Sequence, residues 1–532
     1  MDFAAHTTHM RIPYLLAFIV ALTDVAFGQD FQVSESGHTN FAPSMADDSA
    51  GNFVVLWTDY RNARGIYGGT GSDGDIYGQR FTSTGTPVAA NFRVSDDSAA
   101  SDISFASQVF PRVAMHSNGA FVVVWVDNRP RGTPADPTVP YDFNIYAQLY
   151  DAQGNRLGAN FAVNDDTSGA QLNPDIAIHD DGSFVLVWTN VVGSMFQVQA
   201  QKFTTSGMKI GSNHTLTITG EQPRIATLRD SKIVVVTTMK AQVFDSLFQP
   251  LGNAIPVSEG FEKAIAIGSQ GTVFITFSRL RPIFENYLDS DVFVEAFDST
   301  GTRVGGPIKV NDDGTDYDQR APAIAIEDTN IIILWTDHRN GYQIGVSGCR
   351  DIYGQRYNTE LSPRGINYKA SHENNETAQG FPVVRLINGH IVGVWLDARA
   401  GIFYPVDPPK PRLDIWATIA DFDNPIEGNI IPCLPPPSER HTLIRIDVYP
   451  NPSNKESNLS FEIGRDGYVE INLYDVLGRR VSSIEKATRL SGRYIINLPT
   501  GGLANGIYFL QLSLTDSLGS VLRTGTKLIV AR

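Results

Sequence analysis

Four copies of one short phrase, W-x-D-x-R, hold the residues in this chain best suited to chemistry. They are Trp57/Asp59/Arg61, Trp125/Asp127/Arg129, Trp335/Asp337/Arg339 and Trp395/Asp397/Arg399. An aspartate and an arginine two positions apart can bind a charged ligand, and a guanidinium matches a carboxylate with two parallel hydrogen bonds. An active site, however, needs unlike residues converging on one point. Identical pairs spread along the chain do not converge. The phrase therefore reads first as structure: an Asp–Arg pair or Asx-type turn that closes one end of a repeated unit.

The segments that follow these phrases are long: Asp59–Gly74, Asp127–Phe143, Asp337–Arg350 and Asp397–Leu413. They carry Tyr60, Tyr67, Tyr141, Tyr342, Phe403 and Tyr404. Loops on a rigid scaffold are where binding usually sits. Aromatic rings beside carboxylates suit a sugar or a peptide, so these are the candidate ligand-binding residues; ordinary variable surface loops are the plainer alternative. The acidic turns SDDS (Ser95–Ser98), NDDT (Asn164–Thr167) and NDDG (Asn311–Gly314) offer oxygen ligands to a calcium ion, but none has the spacing of a calcium loop. Beyond the first residues there is no H-x-x-x-H spacing, no G-x-S-x-G elbow and no phosphate-binding glycine loop. No catalytic residue, metal or cofactor is predicted, calcium being the one ion with ligands at hand.

The elements that position these residues repeat. A strand opening with proline, such as Pro111–Gly119, leads to an apolar run ending in tryptophan, such as Phe121–Trp125. A third piece reads like Asp75–Phe81, and a fourth, such as Asn91–Val94, ends F-x-V. The apolar run recurs at Phe53–Trp57, Phe121–Trp125, Phe184–Trp188, Ile331–Trp335 and Ile391–Trp395, with degenerate copies at Ile233–Thr237 and Val273–Phe277. That makes seven copies, on average about 55–60 residues apart. The third pieces mostly alternate polar and apolar residues, as a strand with one buried face does. The second pieces are apolar throughout, as a strand buried on both faces is.

Four strands per unit and seven units predict a seven-bladed β-propeller, an all-β ring of four-stranded blades. A β-solenoid is the alternative, though its repeats are shorter. The phrase is similar to propeller repeats in general, without the GH…WD signature of WD40 repeats or the Asp-box of sialidases. In antiparallel blades, the long loops and the acidic turns between blades share one face. The seventh unit lacks its F-x-V strand, and Phe31–Ser34 matches Phe92–Ser95. The N-terminus is therefore expected to supply the outer strand of the last blade, covering an open sheet edge.

The totals agree with a globular, strand-rich protein. The chain has 532 residues, 42% hydrophobic and 19% charged, with 47 glycines. Its net charge is −15, and it has no basic run of the kind that nucleic acid requires. Residues Ile12–Leu22 are apolar, follow Arg11 and precede Ala26-Phe27-Gly28, which predicts a signal peptide over 1–28 and a mature start near Gln29. No later stretch is long and apolar enough to span a bilayer. The propeller is expected over 29–424, and the Pro-rich stretch 425–442 reads as a semi-rigid spacer. The only cysteines, Cys349 and Cys433, are candidates to pair in an oxidising envelope.

The remainder, 443–532, has the strand and turn pattern of a small Ig-like β-sandwich. In order it contains VYPNPS (Val448–Ser453), INLYDVLGRRV (Ile471–Val481), LANGIYFLQLS (Leu503–Ser513) and the terminal KLIVAR (Lys527–Arg532). These motifs resemble the C-terminal sorting domain of the type IX (Por) secretion system. The resemblance implies Sec export, passage across the outer membrane of a Bacteroidetes-type bacterium, and removal of the domain. It also implies anchoring to surface lipopolysaccharide or release. The recognition elements it points to are the strand start at Gly506 and Tyr508, and the tail from Lys527 to Arg532. Two functions remain open for the ring: a non-catalytic binder of a glycan or surface protein, and a polysaccharide hydrolase or lyase with two carboxylates on the long-loop face.

Overall fold

Seven four-stranded antiparallel sheets make up the first part of the computed structural model. The structure describes residues 28–35, 38–62, 74–96, 107–129, 143–165, 169–284, 287–313, 317–339, 350–372, 378–399, 402–403, 410–411, 413–425, 428, 444–449, 451–463, 465–490, 492–515 and 521–531. The innermost strands are Asn40–Asp47, Gln108–Met115, Ala170–Ile178, Arg224–Thr227, Phe261–Ile267, Gln319–Glu327 and Gln379–Ile387. Each packs on the next, and the last packs back on the first, so the sheets are seven blades of a closed propeller.

The second strands explain the apolar runs. Every residue of Phe53–Asp59 is buried, as is every residue of Phe121–Asp127. Successive side chains of a strand point to opposite faces. Phe53, Val55 and Trp57 accordingly join the core shared with blade 7, while Val54 and Leu56 join the core shared with blade 2. Burial on both faces removes the polar alternation.

Blade 7 closes on the other end of the chain. Its outer strand is Phe31–Gln32, paired antiparallel with Asp414–Asp421 in the register Phe31↔Ala417. The Gly28 N–H donates to Ile419 O at 2.7 Å and the Val33 N–H to Ile415 O at 2.8 Å. Val33 is buried in the core between blades 7 and 1.

Each innermost strand also carries, or in blade 4 follows, a residue at positive φ: Ala42, Phe110, Asn173, Gln222, Glu262, Ala321 and Phe381. In six blades proline follows it, and in blade 5 Lys263 does. In the six blades other than blade 4 the ladder slips there, as between Val109 and Arg112. An extra residue in one strand re-aims its side chain, and proline suits a position with no ladder partner. The freed N–H of Phe110 donates to Thr58 Oγ1 at 3.1 Å, and that of Phe381 to Thr336 Oγ1 at 3.0 Å, each on the preceding blade. These bulges lie at the end of the blade where the second strand reaches its W-x-D.

Two compact units divide the chain, Met1–Ile431 and Pro432–Arg532. The second is a β-sandwich. A sheet of Ile444–Tyr449, Glu456–Ile463 and Gly492–Pro499 faces one of Arg480–Arg489, Gly467–Asp475, Gly506–Thr515 and Val521–Val530. The YPNPS motif pins the tail strand. Asn451 Nδ2 donates to Lys527 O at 2.6 Å, and Asn451 Oδ1 accepts from the Ile529 N–H at 2.8 Å. Ser453 adds backbone bonds to Ile529 and Ala531. Tyr508 Oη donates to Ala504 O at 3.0 Å, fixing the strand that starts at Gly506.

Candidate functional site

The W-x-D-x-R phrases build a latch between blades. In blade 2, Asp127 Oδ2 accepts from Trp125 Nε1 at 2.9 Å, and Oδ1 accepts from the Arg129 backbone N–H at 2.9 Å. The Arg129 side chain returns to Asp127 at 2.8 Å, lies 4.5 Å from the Tyr146 ring centroid, and reaches Asp96 in the preceding inter-blade turn at 3.0 Å. Burial works against the charge of Arg129, yet the bonds and charge of Asp127 outweigh it and hold the guanidinium above its ordinary range.

The same set recurs around the ring. Arg61 pairs with Asp59 and Glu35 over Tyr77, and Arg339 with Asp337 and Asp312 over Tyr353. Arg399 pairs with Asp397 and Asp30 over Trp416. Asp59, Asp127, Asp337 and Asp397 are fully buried. Every motif arginine thus has two carboxylate partners within the molecule. The acidic turns belong to the latch too: Asp96 and Asn160 exchange hydrogen bonds at 2.8 and 2.9 Å, and Asn160 Nδ2 donates to Gln148 Oε1 at 2.8 Å. Asn91 with Gln79 and Asn367 with Gln355 repeat this last bond at 2.7 Å. In the sequence these Gln and Asn residues look like ordinary strand polar positions.

Among the candidate aromatics, Tyr60 is half-buried, and burial pushes its hydroxyl up. Tyr67, Tyr141, Tyr342 and Tyr404 lie outside the described residues, as do Cys349, Cys433, Arg532 and all of the expected signal peptide but Gly28. Among the described residues no group of three His, Cys, Asp or Glu side chains could hold a metal ion.

Sequence reasoning missed a different aromatic group. Phe41 lies 5.9 Å from Phe110 and 5.7 Å from Phe381, ring to ring, each contact edge-on. Phe110 is 46% and Phe381 37% exposed. These rings belong to the bulges of blades 1, 2 and 7, at the channel mouth on the latch face. Phe110 and Phe381 hold φ values of 57° and 55°, the same bulge conformation that the other five blades adopt with other residues. The signal in the sequence is a phenylalanine before the blade-opening proline, where other blades have Ala, Asn or Gln.

Blades 5 and 6 present polar groups at the same end. Glu262 Oε2 accepts from the Ala321 N–H at 2.6 Å and from Ser278 Oγ at 3.3 Å, and burial pushes this carboxyl up. In blade 5 the latch acid has moved to the third strand: Arg281 pairs with Asp289 at 2.5 Å. Burial still pushes Asp289 up to about 6, and its Oδ1 has no partner. Burial lowers His338, next to Arg339, to about 4, and its Nε2 has no partner.

The fold is a seven-bladed propeller, its repeated charges paired with one another, followed by a β-sandwich. Residues 447–524 match the family model of the secretion system C-terminal sorting domain. The chain is a propeller protein carrying a type IX sorting domain, which places it among secreted or cell-surface proteins. No curated protein shows significant similarity to it. Among solved structures it is similar to a protein of unknown function from Dyadobacter fermentans, with 12% identity, a TM-score of 0.42, and coverage of 75% of this chain and 99% of that one. It is also similar to a polysaccharide lyase described as an ulvan lyase, with 11% identity, a TM-score of 0.45, and coverage of 77% and 98%. A third is the NanB sialidase from Streptococcus pneumoniae, with 11% identity, a TM-score of 0.39, and coverage of 75% and 71%. Among the described residues no helix is long and apolar enough to cross a membrane.

Proposed function

We propose that the propeller is a non-catalytic glycan-binding module. In this reading the chain is exported through a Sec leader ending at Gly28 and carried across the outer membrane by the type IX machinery. The ring of residues 29–424 stands before the spacer 425–442 and the sorting domain 443–532. Once the sorting domain is cleaved, the ring is anchored to surface lipopolysaccharide or released.

The observation that carries the binding role is the pair of exposed rings Phe110 and Phe381, both packed edge-on against the half-buried Phe41. Apolar rings exposed together on the surface favour an interaction, and flat C–H-rich sugar faces stack on such rings. A glycan array, with the Phe110→Ser/Phe381→Ser variant as control, tests it. Retained glycan binding in that variant rejects these rings as the platform.

A second reading, a polysaccharide hydrolase or lyase, is favoured by two carboxyls of raised pKa on blade 5, Glu262 and Asp289. A release assay on bulk polysaccharides decides between them. Turnover lost in Glu262→Gln would replace the binding role with catalysis.

A further inference from the structure

Blade 3 has the latch framework without the arginine. Its phrase runs Trp188-Thr189-Asn190-Val191-Val192, so Asn190 stands where other blades have aspartate and Val192 where they have arginine. The register confirms a third change. Trp125 opposes Tyr146, Trp57 opposes Tyr77 and Trp335 opposes Tyr353, but Trp188 opposes Gln199. The aromatic ring under the guanidinium is gone as well. A cavity of about 250 Å³ occupies this region, lined in part by Trp188, Asn190, Gln199 and Asn213.

The rest of the framework is intact. Asn213 Nδ2 donates to Gln201 Oε1 at 2.7 Å, and the Asn213 N–H donates to Asp165 Oδ2 at 3.1 Å. Lys209 Nζ pairs with Asp165 Oδ1 at 2.5 Å. Charge in the socket is therefore balanced, and the buried carboxylate that attracts a cation elsewhere has become an amide. Gln171 Nε2 donates to Asn190 Oδ1 at 3.0 Å, and Gln199 Nε2 donates to Thr215 Oγ1 at 2.8 Å. These bonds use the Asn190 oxygen and the Gln199 nitrogen, which leaves Asn190 Nδ2 as a donor and Gln199 Oε1 as an acceptor for a hydroxyl pair. Ligand pockets for larger molecules run from about 300 Å³ upward, so this one suits a single ring.

We propose that the vacated latch socket of blade 3 binds one neutral sugar ring, a second site apart from the phenylalanine platform. The ligand class rests on the glycan reading above; the location rests on the comparison of blades.

Saturation-transfer NMR with methyl glycosides of neutral hexoses, methyl glucuronide and free arginine tests it on the full chain. Signals are expected from a neutral glycoside. They should vanish in Asn190→Asp/Val192→Arg/Gln199→Tyr, which rebuilds the blade 2 latch in place and should not lower the melting temperature. Gln199→Tyr alone, closing the cavity with one ring, gives the same readout if the triple variant folds poorly. Signals that persist in the refilled variants overturn the location. Preference for arginine or the uronate, or no signal from any glycoside, overturns the ligand. Phe110→Ser/Phe381→Ser should keep these signals while losing polymeric glycan, so the two sites fail separately.

Discussion

Asp30 Oδ2 accepts the backbone N–H of His372 at 2.8 Å, and its Oδ1 lies 3.1 Å from the imidazole Nδ1 of the same residue. At the junctions into blades 2, 3 and 6 the pair is an asparagine on the outer strand and an acid in the preceding turn, as Asn160 and Asp96 are. The closing junction exchanges the partners: the acid stands beside the outer strand and the turn brings a histidine. Arg399 then finds its second carboxylate beside the strand, at 2.6 Å from Asp30.

Asp30→Ala should therefore loosen the ring at its seam. Charged hydrogen bonds of this kind contribute about 1.5–3 kcal/mol, so a loss of about 2 kcal/mol is expected. Chemical denaturation measures it, and limited proteolysis should show earlier cleavage near the N-terminus. An unchanged denaturation midpoint would contradict a structural role for this pair.

Asp127→Ala removes the centre of an intact latch and strands Arg129 and the Trp125 indole. Breaking a buried pair costs about 3–5 kcal/mol. Glycan binding at temperatures where the variant stays folded should be unchanged. Lost binding with stability intact would make the motif a ligand site.

Two groups of blades 5 and 6 give opposite pH dependence. Asp289 is pushed up to about 6, above its unfolded value. Its protonated form stabilises the fold, fully at low pH and less as pH rises through about 6. His338 is pushed down to about 4, so its contribution is full above its unfolded value near 6.5 and is lost as pH falls toward about 4. The two partly cancel in the parent protein. Between pH 4 and 6.5, Asp289→Asn should make stability rise more steeply with pH, and His338→Gln less steeply. Identical denaturation profiles across the three proteins would discount both groups.

Deleting Lys527–Arg532 takes away the backbone that Asn451 and Ser453 hold. Cell fractionation should find the truncated chain in the periplasm. Asn451→Ala keeps the tail but unpins it, and should reduce export less. Normal surface display of the truncation would contradict the sorting role.

The sequence disclosed the ring because its signals are periodic: the two-sided burial of Phe121–Trp125 leaves an unbroken apolar run that can be counted. Phe31–Ser34 is legible as the closing strand because it repeats Phe92–Ser95. The platform was hidden because a backbone φ has no letter. Phe110 before Pro111 looks like any strand residue until the bulge turns it outward. The latch was half legible: Asp127 and Arg129 stand two apart, whereas Asp96 and Asn160 meet across 64 positions. In blade 3 the substitutions were in plain view, but their common location appears only when Trp188 is set against Gln199.

The pairing of Phe31 with Ala417 has a kinetic side. Contacts between distant positions form slowly, since a long loop must close before they are rewarded. A chain arriving N-terminus first can stack six blades as it emerges, while its opening segment waits with an unmatched edge for a partner made last. Moving Gln29–Ser34 behind Asp421 would turn that wait into a hairpin. Such a permutant should refold faster to the same ring, and the difference in rate measures how long the natural order keeps the circle open.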